Sequence, residues 1–285
     1  MLARLFVMLQ YVLPRFWMTA IVYRIARIRK ASVKDFLISR FVRLYGVDVS
    51  QVKQDVPAGF ATFNDFFVRE LEDGARPIAS EPDAIASPVD GTVSAAGNIS
   101  GEQIFQAKGL DYSLDDLLAT DLQDAHKYVD GSFATIYLAP YDYHRVHAPM
   151  DGQILAARYV PGDLFSVNAA TVANISGLFR RNERLILHFA TACGPAAVIL
   201  VGALNVGSIS TPWSGEVRPK KHGVVETIDV SNGPHEIRKG DLLGWFNMGS
   251  TVILLLPQNA CEWSDELLAG ATVRMGQPIG AIPAQ

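Results

Sequence analysis

The sequence predicts an α+β fold in which basic, apolar helices precede a β-rich body. Three observations carry this expectation. Residues 1–45 hold nine Lys and Arg against Asp35 alone, set among large apolar side chains. From Ser87 onward, short apolar stretches alternate with glycine-containing turns, the pattern of strands rather than long helices. A turn-and-strand form also recurs at long intervals, as in a body built from internal repeats.

The N-terminal part is taken as residues 1–60. Its apolar stretch is interrupted by Arg4, Arg15 and Arg24 and broken by Pro14, leaving uncharged runs too short to cross a bilayer. It lacks the small-residue cleavage site of a secretory signal. Arginines alternating with Phe6, Leu9, Phe16, Trp17, Ile21 and Ile25 suit amphipathic helices lying in a membrane interface. A helical hairpin packed on the body is the plainer alternative. The charge supports the interface: residues 1–45 carry a net +8, the remainder −12, and the whole chain −4. A basic arm on an acidic body suits anionic lipid, and no nucleic-acid partner is expected.

The β-rich body is expected over residues 61–285. Residues 61–71 read as a short aromatic-rich helix, and residues 114–118 as another with Ser113 as its N-cap. Residues 185–215 contain no Asp, Glu, Lys or Arg, yet Gly194-Pro195, Gly202 and Gly207 interrupt them. Two buried strands, 185–191 and 197–206, joined at Cys193-Gly194-Pro195, explain this better than a membrane span. Two cysteines among 285 residues make no disulfide framework and suggest small buried thiols in a reducing compartment.

The repeats are Pro88-Val89-Asp90-Gly91, Pro149-Met150-Asp151-Gly152 and Pro212-Trp213-Ser214-Gly215, each leading into a β-branched residue two positions on. A second form joins Lys239-Gly240-Asp241 to Met275-Gly276-Gln277. Repeats of this kind resemble the barrel-sandwich hybrid folds, and their equivalent turns are expected to meet in space.

Met248-Gly249-Ser250-Thr251 runs into the apolar strand Val252-Ile253-Leu254-Leu255-Leu256. A strained backbone here would let the Ser250 hydroxyl attack the Gly249 carbonyl, since glycine leaves that carbonyl open. The attack needs a base and a group to orient it. His144 and His147, three residues apart and flanked by Pro140 and Pro149, are the candidates for the base. Asp90 and Asp151 compete as orienter. The His-x-x-His spacing differs from that of a helical zinc pair, and no metal is expected.

These segments resemble the phosphatidylserine decarboxylase family. Met248–Thr251 is similar to its Leu-Gly-Ser-Thr cleavage motif, with methionine in place of the usual leucine. Residues 63–71, Ser87–Gly91, the His144…His147 loop and residues 162–168 match other family segments in order. The resemblance implies that Asp90, His147 and Ser250 act as a triad that cuts the chain between Gly249 and Ser250. It implies a β chain of residues 1–249 and an α chain of residues 250–285, held together non-covalently, with homo-oligomerisation left open. Ser250 would become a pyruvoyl group, the cofactor that decarboxylates phosphatidylserine in an anionic membrane. His144 is then the candidate for the proton step, and Ser166 and Asn168 for head-group contacts. The implied location is peripheral, at the cytoplasmic face of a bacterial inner membrane. A hybrid-barrel zinc peptidase using His144 and His147, or a non-catalytic carrier, is the alternative.

Overall fold

A computed structural model describes residues 2–107, 110–119, 124–205 and 208–283, with side chains from residue 6 onward. Three helices open the chain: α1 (Leu2–Val12), α2 (Arg15–Ala26) and α3 (Ala31–Tyr45). Pro14 separates the first two, as a residue with fixed φ and no N–H should. Gly46 ends α3 in the left-handed conformation, φ 64°, where a Cβ would be strained. Among the described residues, no single helix is long and apolar enough to cross a membrane. Phe6–Val12 and Arg15–Ala26 together have the length and composition but are bent by 91° at their break.

Helices α1 and α2 dock one face on the body, as a packed hairpin would, and leave the other face exposed. Phe6, Met8, Leu9, Val12, Trp17, Ile21 and Ile25 face outward. Arg15 and Arg27 instead turn inward, pairing with Asp163 at 2.8 Å and Glu216 at 2.7 Å. Arg24, Arg29, Lys30, Arg40 and Arg43 remain exposed.

The short helix α4 (Phe63–Phe67) is capped by Thr62, whose Oγ1 accepts the Asp65 N–H at 3.1 Å. It packs with α3 into a small aromatic core of Phe60, Phe63, Phe66, Phe67 and Ile38, against which Met248 also lies. Helix α5 (Leu114–Leu118) starts where its sequence predicts, with Ser113 accepting the Asp116 N–H.

The body is a nine-stranded antiparallel sheet with three smaller sheets, and the main core lies in it. The large sheet runs Glu226–Ile228, Gly152–Val160, Arg184–Thr191, Gly194–Val201, Ser250–Leu256, Ser132–Leu138, Gly91–Asn98 and Thr272–Val273, with Glu236–Ile237 also on Gly152–Val160. Its two ends do not pair, so the sheet is open rather than a closed barrel. A four-stranded sheet orders Gly215–Val217, Ile209–Thr211, Leu242–Phe246 and Arg145–His147.

The charge-free stretch forms two paired strands rather than a span, Arg184–Thr191 and Gly194–Val201. The second strand begins at Gly194, not Ala197, and stops at Val201 instead of reaching 206; Val206 and Gly207 lie outside the described residues. Its end has a local cause. Gly202 donates its N–H to Glu183 O, and a Cβ there would meet the Glu183 carboxyl at 2.7 Å. Cys193 and Cys261 are free and half-buried rather than fully enclosed.

Two of the three turns of the first form meet, at Pro88 and Pro149, and both turns of the second form lie against them. The His147 N–H donates to Pro88 O, Ala86 N–H to Pro149 O, Gly240 N–H to Ala148 O, and Gly276 N–H to Ser87 O. Gly240 (φ 92°) and Gly276 (φ 85°) both lie against the Ile78 side chain, so the second form is one turn geometry used twice around one residue.

Candidate active site

Ser250 opens the middle strand of the large sheet, paired with Leu138 on one side, while Thr251 to Leu255 also pair with residues 197–201 on the other. The preceding strand, Leu242–Phe246, belongs to the four-stranded sheet. Residues 247–249 therefore cross from one sheet to another, and the Gly249–Ser250 peptide lies at that crossing. Both sides are fixed. The Phe246 N–H donates to His144 O at 3.1 Å and the Asn247 N–H to Ser208 O at 3.0 Å. Asn247 is held further by its side chain, which donates to Ser208 Oγ and Ser210 Oγ and accepts from Asn64 Nδ2.

Glycine at 249 differs from the strained residue that the sequence suggests. Its φ is not positive, and a Cβ would meet only Leu138 O at 3.7 Å and His144 Nε2 at 3.8 Å, ordinary contacts. His144 Nε2 is thus a close neighbour of Gly249. Ser250 Oγ and His144 Nε2 are both buried, and both are without a hydrogen-bond partner among the described residues. Leaving two such atoms unpaired opposes folding by about 1–3 kcal/mol each, which marks them as candidates for chemistry.

The His144 ring is fixed from behind. Its Nδ1 lies 2.9 Å from Asp142 O, an acceptor only, so Nδ1 carries the proton and Nε2 the lone pair. Phe67 packs on the ring with centroids 4.1 Å apart. Burial, with the nearby Arg69 cation, pushes its pKa down to about 3, so the imidazole is neutral at ordinary pH.

His147 ends the Arg145–His147 strand. Its Nδ1 donates to Gly240 O at 2.7 Å, and its Nε2 accepts the Tyr143 hydroxyl at 3.0 Å. Burial lowers its pKa as well. The expected Asp90–His147 hydrogen bond is not made. Asp90 is instead gripped by Arg76, with Nε 2.9 Å from Oδ1 and Nη2 2.5 Å from Oδ2, and it accepts the Met275 N–H at 2.8 Å. A guanidinium fork matches both carboxylate oxygens, which an imidazole N–H cannot. Asp151, the competing carboxylate, is exposed and accepts the Lys239 N–H.

Arg76 and Tyr143 are thus site residues that sequence reasoning passed over. Arg76 did carry a signal: it is the only cation between Glu72 and Asp83, among four acidic residues. Nothing in the sequence ties Tyr143 to His147.

Ser166, Asn168 and Gly249 line one cavity of about 270 Å³, with Tyr45, Phe67 and Asn205. Asn168 spends Oδ1 on Thr171 N and Oγ1, leaving its Nδ2 as a donor. An apolar groove of about 250 Å³ adjoins, sharing Phe41 and Met248 as walls and bounded by Val22, Ile25, Leu37 and Leu44 of α2 and α3. The histidines do not share a metal position, since each commits Nδ1 to a carbonyl and His147 commits Nε2 to Tyr143.

Comparison with known proteins bears on this geometry. The family described as phosphatidylserine decarboxylase matches residues 63–281, and a second family profile, described as PSD, matches residues 5–46. A phosphatidylserine decarboxylase proenzyme of Saccharophagus degradans is 45% identical over 283 residues, covering 99% of this chain and 98% of its own. Proenzymes of the same description from Methylococcus capsulatus and Alcanivorax borkumensis are each 46% identical, covering 98% of this chain and 96% of their own.

Proposed function

The chain belongs to the phosphatidylserine decarboxylase family, and from that premise we propose that it is made as a proenzyme that cuts itself between Gly249 and Ser250. The mature enzyme is a carboxy-lyase that removes the serine carboxylate of phosphatidylserine as CO2 and leaves phosphatidylethanolamine. One observation carries the site assignment: the unpaired Ser250 Oγ and His144 Nε2 are buried beside Gly249, where the chain crosses between two sheets.

Self-cleavage begins when Ser250 Oγ bonds to the Gly249 carbonyl carbon and the Gly249–Ser250 C–N bond breaks. An ester forms and the Ser250 nitrogen becomes a free amine. Loss of the Ser250 α-proton expels the Gly249 carboxylate from Cβ. The resulting unsaturated amine takes up water and releases ammonia, leaving a ketone at residue 250. His147 serves as base for the hydroxyl, held in register by Gly240 O, with the Asp90 turn directly behind its backbone. For this, Tyr143 must give up His147 Nε2.

The residues present fit such a pyruvoyl group, because Ser250 Oγ has no other partner among the described residues and Gly249 borders a cavity. When present, the group supplies a ketone that takes up the substrate amine and an electron sink for the carbon that loses CO2. The neutral His144 can only accept at Nε2 first. It takes the proton shed by the incoming ammonium and returns it to the carbon that has lost CO2. Ser166 Oγ and Asn168 Nδ2 offer hydrogen bonds to the head group at the cavity wall, and the adjoining apolar groove suits acyl chains.

The exposed apolar faces of α1 and α2, rimmed by Arg24, Arg29 and Lys30, support binding to an anionic bilayer as a peripheral protein, at the cytoplasmic face of a bacterial inner membrane. The fragments stay together without a covalent link, because residues 250–285 contribute strands to two sheets.

An intact-mass spectrum of the denatured protein tests this first. Two pieces meeting at 249/250, the smaller with a pyruvoyl rather than a serine terminus, are expected. A single uncut chain recovered from folded, inactive protein would overturn it.

A further inference from the structure

A membrane anchor needs only its outer face, yet the inner face of α1 carries a polar residue with both functional groups committed. Gln10 is completely buried. Its Oε1 accepts the Ser166 N–H at 2.8 Å and its Nε2 donates to Thr171 Oγ1 at 3.1 Å. Thr171 Oγ1 in turn donates to Asn168 Oδ1 at 3.0 Å. One glutamine therefore reaches two points of a loop 156 and 161 residues away, on either side of Asn168.

The contacts around it converge on the same loop. The Tyr11 ring lies 5.1 Å from that of Phe165, and the Arg15 guanidinium stands 3.9 Å over Phe165 while pairing with Asp163. From α2, Thr19 Oγ1 accepts the Asn205 N–H at 3.2 Å. Ser166, Asn168 and Asn205 all line the cavity bordered by Gly249. Burying a carboxamide costs free energy unless both ends are paired, so an apolar residue would serve a mere anchor better.

We propose that Gln10 is a positioning residue for the head-group pocket: α1 braces the 163–171 loop as well as facing lipid, and its seating sets where Ser166 and Asn168 stand. The inference rests on the decarboxylase reading above and adds a role for α1 in substrate recognition. The chemistry at Ser250 does not pass through Gln10, so KM should respond and kcat should not.

The test is Gln10→Met, close in volume, in the full chain, assayed on phosphatidylserine in mixed detergent micelles where no bilayer is needed. Losing the two hydrogen bonds should raise KM about three- to tenfold, with kcat unchanged and self-cleavage complete by mass. Binding to anionic vesicles should be unchanged, because position 10 is absent from the exposed face. Thr171→Val, nearly isosteric, should raise KM in the same direction. Amide exchange at Ser166 should quicken in Gln10→Met, a readout independent of activity. Unchanged KM in both variants, or a KM change matched by lost vesicle binding, would overturn the proposal. A cleaved wild type that releases no CO2 would count against the proposed function instead, and Ser166 exchange would still decide the brace.

Discussion

His144 Nε2 lies 3.8 Å from where a Cβ on Gly249 would stand, while His147 Nε2, three residues further on, is covered by the Tyr143 hydroxyl. Of two histidines in one loop, one thus holds an open Nε2 lone pair beside Gly249, and the other has its Nε2 engaged by Tyr143. This separates their roles. His144→Ala should still yield two fragments but release no CO2, whereas His147→Ala should remain a single chain. Mass spectra and CO2 release on the same preparations decide it. If His144→Ala fails to cut while His147→Ala cuts, the open lone pair is the base for Ser250 and the division is reversed.

Arg76 and Asp90 form a buried pair, 12% and 9% exposed at their side chains. Removing the cation strands a carboxylate that also holds the Met275 N–H. Arg76→Met should therefore destabilise the chain by about 3–5 kcal/mol. The double variant with Asp90→Asn should be less unstable than the sum of the two single changes, since the charge left unpaired is then gone. Urea unfolding in a Ser250→Ala background, which keeps the chain whole, measures the cycle. Strict additivity would show that the pair is not coupled.

Much of the fold was legible because it is local. The Ser113 cap on α5, the glycine turns and the five aliphatics after Thr251 each have a short-range cause in the sequence, and the structure has an element at each. The Asp90–Arg76 grip is 14 residues long and leaves only a charge anomaly as its trace. The Gln10–Ser166 bond joins residues 156 apart, and no periodicity encodes it. The strand expected to reach 206 stops at Val201, because composition there stays apolar while Gly202 turns toward Glu183. Side-chain partners across the fold, rather than elements, were what the sequence withheld.

On the proposed cleavage, retention of the C-terminal fragment would depend on the middle strand. Leu254 is fully buried there, opposite Ala134 and Val198. Truncating it should cost about 2–5 kcal/mol, and after cleavage that loss falls on the non-covalent association of residues 250–285 with the rest. Leu254→Ala should therefore self-cleave and then shed the small fragment during gel filtration in mild urea, where the wild type stays whole. Co-elution of both fragments in the variant would place the hold in the other strands of residues 262–281.

Glu183 gives the chain a built-in dependence on pH. Its carboxyl is fully buried, accepts the Tyr159 hydroxyl at 2.6 Å through Oε2, and has no partner at Oε1 among the described residues. Burial raises its pKa from 4.5 to about 7, and the Tyr159 hydrogen bond only partly opposes this. The sign follows from comparing the two states. Above pH 4.5 the unfolded carboxyl ionises while the folded one keeps its proton, so the folded state loses relative stability as pH rises. The loss is complete above pH 7 and on the order of 3 kcal/mol. Gln at this position keeps the shape and an acceptor for Tyr159 without the charge. Glu183→Gln should accordingly show a smaller drop in unfolding free energy between pH 5 and pH 8 than the parent chain, both measured in the Ser250→Ala background. Equal slopes in the two chains would mean that Glu183 is ionised in the fold at neutral pH, with its charge met by a partner that forms only in solution.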